Sequence, residues 1–260
     1  MNSEDLSLAN IADNLPTKFV GKEVIYYPHL PSTMDAARQE AHQGATEGTV
    51  IIAGEQTQGR GRLKRNWLSP RGNVALSIIL YPDISLMSRL IMVASLSVVR
   101  SIETVTGLKP QIKWPNDILI NGNKVSGILI ENELKGSAVV YVIIGIGINV
   151  NLRPDDYADI STTATSLNDE YGGNVSHLDI IRNLLIEIER LYLTSSIGDS
   201  IYTEWRDRLA TLGKHVYIRS GDTVLEGVAE SVDRNGALRV RHADGKTTVV
   251  VAGDVNLRDK

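Results

Sequence analysis

The chain has 260 residues, 42% of them apolar, with 27 Lys and Arg against 31 Asp and Glu for a net charge of −4. This composition excludes wholesale disorder and argues against a generic nucleic-acid binder, and the length suits one large domain or one domain plus a small module. With no cysteine there is no disulfide, thiolate nucleophile or cysteine metal site; the polar start is unlike a signal peptide, and no apolar run approaches about 18 residues without a charge or glycine.

Residues 1–20 carry little pattern and read as a tail or a short lead-in. EVIYY (23–27) reads as a strand, and PHLPST (28–33) as a loop in which Ser32 or Thr33 can cap the helix MDAARQEAHQ, stopped at Gly44. TVIIAGE (49–55) is a β-branched run that predicts a buried strand, and VALSIILY (74–81) predicts another. Residues 85–107 repeat apolar side chains at helical spacing and end at Gly107, which predicts a helix central to the core. QIKW (111–114) and DILI (117–120) read as short strands around Pro115, and NGNK (121–124) as a hairpin turn. VSGILIEN (125–132) and AVVYVIIGIGINV (138–150) read as strands joined around Gly136; 179–193 and 200–213 read as amphipathic helices. After Gly213 the runs HVYIR, TVLEGVAESVD, ALRVRH and KTTVVVA, separated by tight turns, predict a small barrel. The expected organisation is a lead-in (1–20), a main α/β (α+β) domain (21–213) and a barrel (214–260), in a soluble cytoplasmic protein with no membrane span.

Three stretches carry chemistry. GEQTQGRGRLKRNWLSPRGN (54–73) follows a strand and sets Arg60, Arg62, Lys64 and Arg65 close together. Gly59 and Gly61 allow close approach to a ligand, and Arg60 and Arg62 supply planar donors for carboxylate or phosphate. Taken alone, the stretch is either an anion-binding loop or a solvated basic loop, and it matches neither a Walker A nor a dinucleotide motif. KWPND (113–117) sets Lys113 in an apolar context, beside the amide and carboxylate of Asn116 and Asp117. Such a lysine either meets an anion or faces solvent from an edge strand. Gly127, Gly145 and Gly147 interrupt β-branched runs, either for tight packing or so that a flat ligand can lie on bare backbone.

Together the motifs resemble the biotin protein ligases. GRGR-x-x-R-x-W appears as GRGRLKRNW (59–67), and KWPND-hydrophobic as KWPNDI (113–118). K-x-x-G-I-L-x-E appears as KVSGILIE (124–131), G-x-G-x-N as GIGIN (145–149), and S-T-x-D as STMD (32–35). The resemblance implies a mixed β-sheet catalytic domain of the biotin/lipoate ligase type, with a small C-terminal Src-homology-3-like barrel. It implies a two-step reaction, in which biotin and MgATP give biotinyl-5′-AMP and pyrophosphate, and the adenylate then acylates a lysine of a biotin carboxyl carrier protein.

The resemblance also implies roles. Ser32, Thr33 and Gln56 line the biotin pocket, with the Met34 backbone N–H beside them. Gly59, Arg60, Gly61 and Arg62 fold over the adenylate. Trp67 stacks on adenine, and Asn149 brings an amide to the nucleotide. Lys113 lies by the biotin carboxylate and the phosphate, near Asn116, and Lys124 is a further ligand-facing charge. Lys113, Arg60 and Arg62 are the expected catalytic cations, because a carboxylate attacking a phosphate needs positive charge at the growing anionic centre. Asp117 is expected to hold Mg²⁺ or to accept a proton from the incoming lysine. The closed loop would shield the mixed anhydride from water.

Two positions depart from the family's pattern. Lys64 stands where a glycine is usual, and Met34 where a polar residue is usual. The first predicted strand begins at residue 23, which leaves too little chain for the helix-turn-helix of repressor-type members, so no DNA binding is expected. A homodimer is expected if strand 138–150 lies at a sheet edge. The alternatives are a lipoate–protein ligase and a non-enzymatic interaction module built on the barrel.

Overall fold

A computed structural model describes residues 11–196, 199–220 and 223–258. Strand β1 (Val24–Tyr27) and strand β2 (Val50–Ala53) pair in parallel, with helix α1 (Thr33–His42) as their crossover. The other strands add antiparallel: β3 (Val74–Leu80), β4 (Gln111–Lys113), β5 (Asp117–Ile120), β6 (Asn123–Lys135) and β7 (Ala138–Ile148). Their order in the sheet is β1-β2-β3-β7-β6-β5-β4. The strand predicted over 138–150 is therefore interior, held between β3 and β6, which removes the basis given for an edge-paired dimer.

β2 and β3 are buried along their whole length, as their unbroken apolar runs require when both sheet faces are covered. On one face, Met34 and Ala37 of α1 pack on Ile51, Ile79 and Ile143. The other face carries the main core, closed by helix α2 (Leu90–Thr106) and, after the short helix α3 (Leu167–Tyr171), helix α4 (His177–Thr194). The segment Ile84–Thr106 is long and apolar enough to cross a membrane, although Arg89, Arg100 and Glu103 interrupt its apolar run. Its side chains from Leu90 to Ile102 instead supply the core, and buried Ser95, Ser97 and Ser101 donate to carbonyls of their own helix. The helix stops at Gly107, whose φ of 73° is the left-handed cap that glycine adopts freely.

Residues 11–20 are not a tail. Ile11, Leu15 and Val20 are core residues, and the Glu189 carboxylate on α4 accepts the backbone N–H groups of Lys18, Phe19 and Val20 at 2.7, 2.8 and 3.0 Å. Residues 1–10 of the predicted lead-in lie outside the described residues. The predicted NGNK turn forms, with Asn121 and Gly122 both at positive φ (51° and 85°), the geometry of a two-residue hairpin.

Helix α5 (Ser200–Asp207) is shorter than the predicted 200–213, because the chain then bridges alongside β4 at Ile112 and Leu209. A second, antiparallel sheet follows: β8 (His215–Ser220), β9 (Thr223–Val232), β10 (Leu238–Arg241), β11 (Thr247–Val250) and β12 (Asp254–Arg258). Its order is β11-β10-β9-β8-β12. Four of these strands match the predicted runs. The fifth, DVNLR, was missed although it alternates polar and apolar residues. Of the predicted SGD turn, residues 221 and 222 lie outside the described residues. Trp114 joins the two sheets, donating its backbone N–H to Thr211 Oγ1 and its ring N–H to the Gly236 carbonyl, both at 2.8 Å.

Candidate active site

The basic loop leaves β2 and crosses β6 and β7 where two glycines are register partners, Gly127 and Gly147. A Cβ on Gly147 would fall 2.3 Å from the Trp67 indole, and one on Gly127 would fall 2.9 Å from it. Only glycine lets that ring lie on the sheet. The flat group on the bare backbone is thus the protein's own indole, and the same glycines also line the cavity described below. Gly145 is covered likewise, with the Met34 sulfur 2.4 Å from where its Cβ would be. Lys124 Nζ lies 5.4 Å from the Trp67 ring centroid, a cation–π distance, and 2.6 Å from Asp117 Oδ1.

Beneath the loop is a cavity of about 120 Å³. Of the predicted residues, Thr33, Met34, Gln56, Arg60, Gly61, Arg62, Trp67, Asn116, Asp117, Lys124, Gly127, Gly145 and Gly147 line it. Gly59 lines the adjoining opening on the outer side of the loop. Ser32, Lys113 and Asn149 are not among the lining residues.

At the start of α1 the capping is unusual. Ser32 is the N-cap, yet its hydroxyl makes no cap bond. Gln56 Oε1 instead accepts the Thr33 N–H at 2.8 Å and the Thr33 hydroxyl at 3.1 Å, and Ser77 donates to Thr33 Oγ1 at 2.8 Å. That leaves Ser32 Oγ buried without a partner. A buried hydroxyl with no partner is costly, which leaves Ser32, one residue before the cavity-lining Thr33, able to pair with a polar atom that enters there.

The cations are held by groups far away in sequence. Arg60 Nη2 pairs with Asp35 Oδ1 at 2.9 Å and Glu131 Oε2 at 3.2 Å, and Arg38 shares both carboxylates. Arg62 Nη1 donates to Asn116 Oδ1 and to the Gly253 carbonyl, both at 3.1 Å. Burial lowers the Arg62 pKa, which Asp117 and Asp254 partly oppose and Arg65 reinforces. Arg65 pairs with Asp254 at the start of β12. Lys113 ends β4 opposite Asp117. Among the described residues no hydrogen bond or ion pair holds its ammonium group, and its charge acts on Asp254.

One placement departs from expectation. The Asn149 amide donates to the Thr165 and Lys124 carbonyls at 3.0 and 3.4 Å, so it anchors the chain beside β6 and does not reach into the cavity. Asp117 is engaged by Lys124, and among the described residues no group of three His, Cys, Asp or Glu side chains could hold a metal. A Mg²⁺ that arrives with nucleotide needs only one or two carboxylates beside the phosphates, and the Asp117 carboxylate is here paired with Lys124. Sequence reasoning also missed three carboxylates. Asp35 and Glu131 sat inside quoted motifs, whereas nothing in the sequence links Asp254 to a loop nearly 190 residues earlier.

Residues 26–149 match the model of the Biotin/lipoate A/B protein ligase family, and residues 211–258 that of the Biotin protein ligase C terminal domain. The bifunctional ligase/repressor BirA of Bacillus subtilis (strain 168) is 38% identical over 247 residues, covering 92% of this chain and 76% of that protein. The biotin–[acetyl-CoA-carboxylase] ligase of Paracoccus denitrificans is 33% identical, covering 80% of this chain and 90% of that one. Among solved structures, the biotin protein ligase from Aquifex aeolicus in complex with biotin and ATP superposes with a TM-score of 0.78 at 28% identity, covering 92% of this chain and 100% of that one. Matches of this identity and coverage to both parts of the chain show that it belongs to the biotin protein ligases.

Proposed function

We propose that the chain is an ATP-dependent ligase that activates biotin as biotinyl-5′-AMP and passes the biotinyl group to a lysine of a biotin carboxyl carrier protein. The observation that carries the reading is the unpartnered Ser32 hydroxyl beside the Thr33–Gln56 pair, next to a cavity walled by cations. Biotin's ureido ring presents a carbonyl and two N–H groups, which match a hydroxyl donor and an amide. Lipoate's dithiolane ring would leave Ser32 unpaired, so the polar end of the pocket favours biotin.

The chemistry follows from charge. An oxygen of the biotin carboxylate attacks the α-phosphorus of ATP, and pyrophosphate leaves. The carrier's lysine amine then attacks the acyl carbon, and AMP leaves. Arg62 at the cavity wall, and Lys113 behind it through its charge, oppose the repulsion between carboxylate and phosphate. Trp67 offers a flat face for adenine once it turns off the glycines. The loop, tied down through Arg60 and Arg65, keeps water from the mixed anhydride. Lys124 and Asp117 pair at the cavity wall, and an approaching lysine can displace Lys124 from that carboxylate. We assign the chain up to residue 213, including residues 11–20 that pack in its core, as the catalytic domain, and the segment from 214 as a module docked on it through Gly253 and Asp254.

The test is ATP–pyrophosphate exchange with biotin or lipoate, followed by label transfer to a carrier fragment. Exchange is expected with biotin alone, and exchange driven equally by lipoate would overturn the assignment. Lys113→Ala should lower adenylate formation at least about 100-fold, the usual effect of removing one electrostatic group from such a site. Full activity in that variant would remove Lys113 from the mechanism. Absence of any label transfer by the native protein would favour a non-enzymatic module.

A further inference from the structure

Four cations crowd the basic loop, and the anion facing its C-terminal half comes from the second sheet. Asp254 begins β12 and lines the cavity. Its carboxylate pairs with Arg65, and the carbonyl of the preceding residue, Gly253, accepts from Arg62 at 3.1 Å. Burial pushes the Asp254 carboxyl pKa up, but Arg65, Lys113 and Arg62 outweigh this and hold it below its usual value. One carboxylate thus faces the cations expected to meet a ligand's phosphate. The pair is not deeply buried, with 63% of the Arg65 side chain and 25% of the Asp254 side chain exposed, so it can exchange partners.

We infer that Asp254 is a positioning residue for the basic loop: its carboxylate stands in for the phosphate of the ligand, holding Arg65 directly and Arg62 and Lys113 through charge, so that the loop lies closed before nucleotide arrives. The identity of the competing anion rests on the adenylating function proposed above; the latch itself does not. A phosphate entering the cavity takes over the cations, and Asp254 releases Arg65.

Limited trypsin digestion of the full chain reads this latch, because Arg60, Arg62, Lys64 and Arg65 are all cleavage sites in the loop. Without ligand, Asp254→Asn is expected to be cut there about fivefold faster than the native protein, the effect of losing a partly exposed ion pair. Arg65→Gln leaves the second sheet untouched and should speed cutting at Lys64 to a similar extent. Asp254→Glu keeps the negative charge and should be cut as slowly as the native protein, which a role for Asp254 in shape alone does not predict. Salt at about 0.5 M should speed cutting of the native protein but not of Asp254→Asn. Native cutting rates in both Asp254→Asn and Arg65→Gln, or fast cutting of Asp254→Glu, overturn the latch. Biotin plus ATP should protect the native protein and Asp254→Asn alike. Failure to protect the native protein counts against the adenylating function and leaves the ligand-free readouts of the latch intact.

Discussion

Residues 17–20 and the basic loop are both irregular stretches tied down by carboxylates distant in sequence, yet the ties are built differently. Glu189 is 6% exposed and accepts three backbone N–H groups, donors that cannot swing away. The loop is held by Asp35, Glu131 and Asp254 through arginine side chains that are a third to two thirds exposed. Backbone donors in a dry site give a permanent anchor, whereas long side chains at the surface give contacts that a ligand can replace. The same chemical group therefore fixes the core at one place and leaves the site movable at the other.

The largest way to break this contrast is Glu189→Ala. It strands three backbone donors and should destabilise the fold by about 3 kcal/mol or more, read by urea unfolding. Burial raises the Glu189 pKa, but the N–H groups of Phe19, Lys18 and Val20 and the Lys18 charge outweigh it, so the folded value is depressed. Its stabilisation is accordingly complete above the unfolded carboxylate value, about 4.3, and is lost as pH falls through the folded value. The gap in stability between the native protein and Glu189→Gln should therefore narrow below about pH 4. A gap that stays constant with pH would show that Glu189 acts through packing alone.

A smaller effect on stability, and a larger one on the site, is expected from Gly147→Ala. The added methyl falls on the Trp67 ring, which is only half-buried and can turn away. Stability should fall by about 1 kcal/mol, the low end for overpacking. Trp114 and Trp205 are at most 2% exposed, so any red shift in fluorescence without ligand reports Trp67 leaving the sheet. An unshifted spectrum with native affinity for biotin and ATP would mean that the indole does not depend on the bare backbone.

These cases show what the sequence could reveal. Periodicity located most of the helices and strands because burial imposes it locally, and most of the motif residues, though not Ser32, Lys113 or Asn149, line one cavity because strand ends and one loop deliver them there. What stayed hidden depends on contacts across long separations. The anchoring of residues 11–20 needs Glu189, and the latch needs Asp254. The interior place of β7 depends on the order in which strands add to the sheet. Glycines at 127, 145 and 147 correctly announced a close approach, but composition cannot say whether a ligand or an indole makes it.

The smallest effect is expected at Lys64. Leu63 and Lys64 are consecutive residues at positive φ, 54° and 60°, a conformation that side chains resist by roughly 1 kcal/mol or more each. Lys64→Gly relieves that strain in the closed loop. It also widens the open loop's backbone freedom, which costs about 0.5–1 kcal/mol on closing. The two terms nearly cancel, so trypsin cutting at Arg62 and Arg65 should change by less than about twofold. A tenfold or greater change would mean that backbone strain, and not the Arg65–Asp254 pair, sets how tightly the loop is shut. A small change, beside a clear one in Asp254→Asn, would place that control in the side-chain charges and leave position 64 free to carry a lysine.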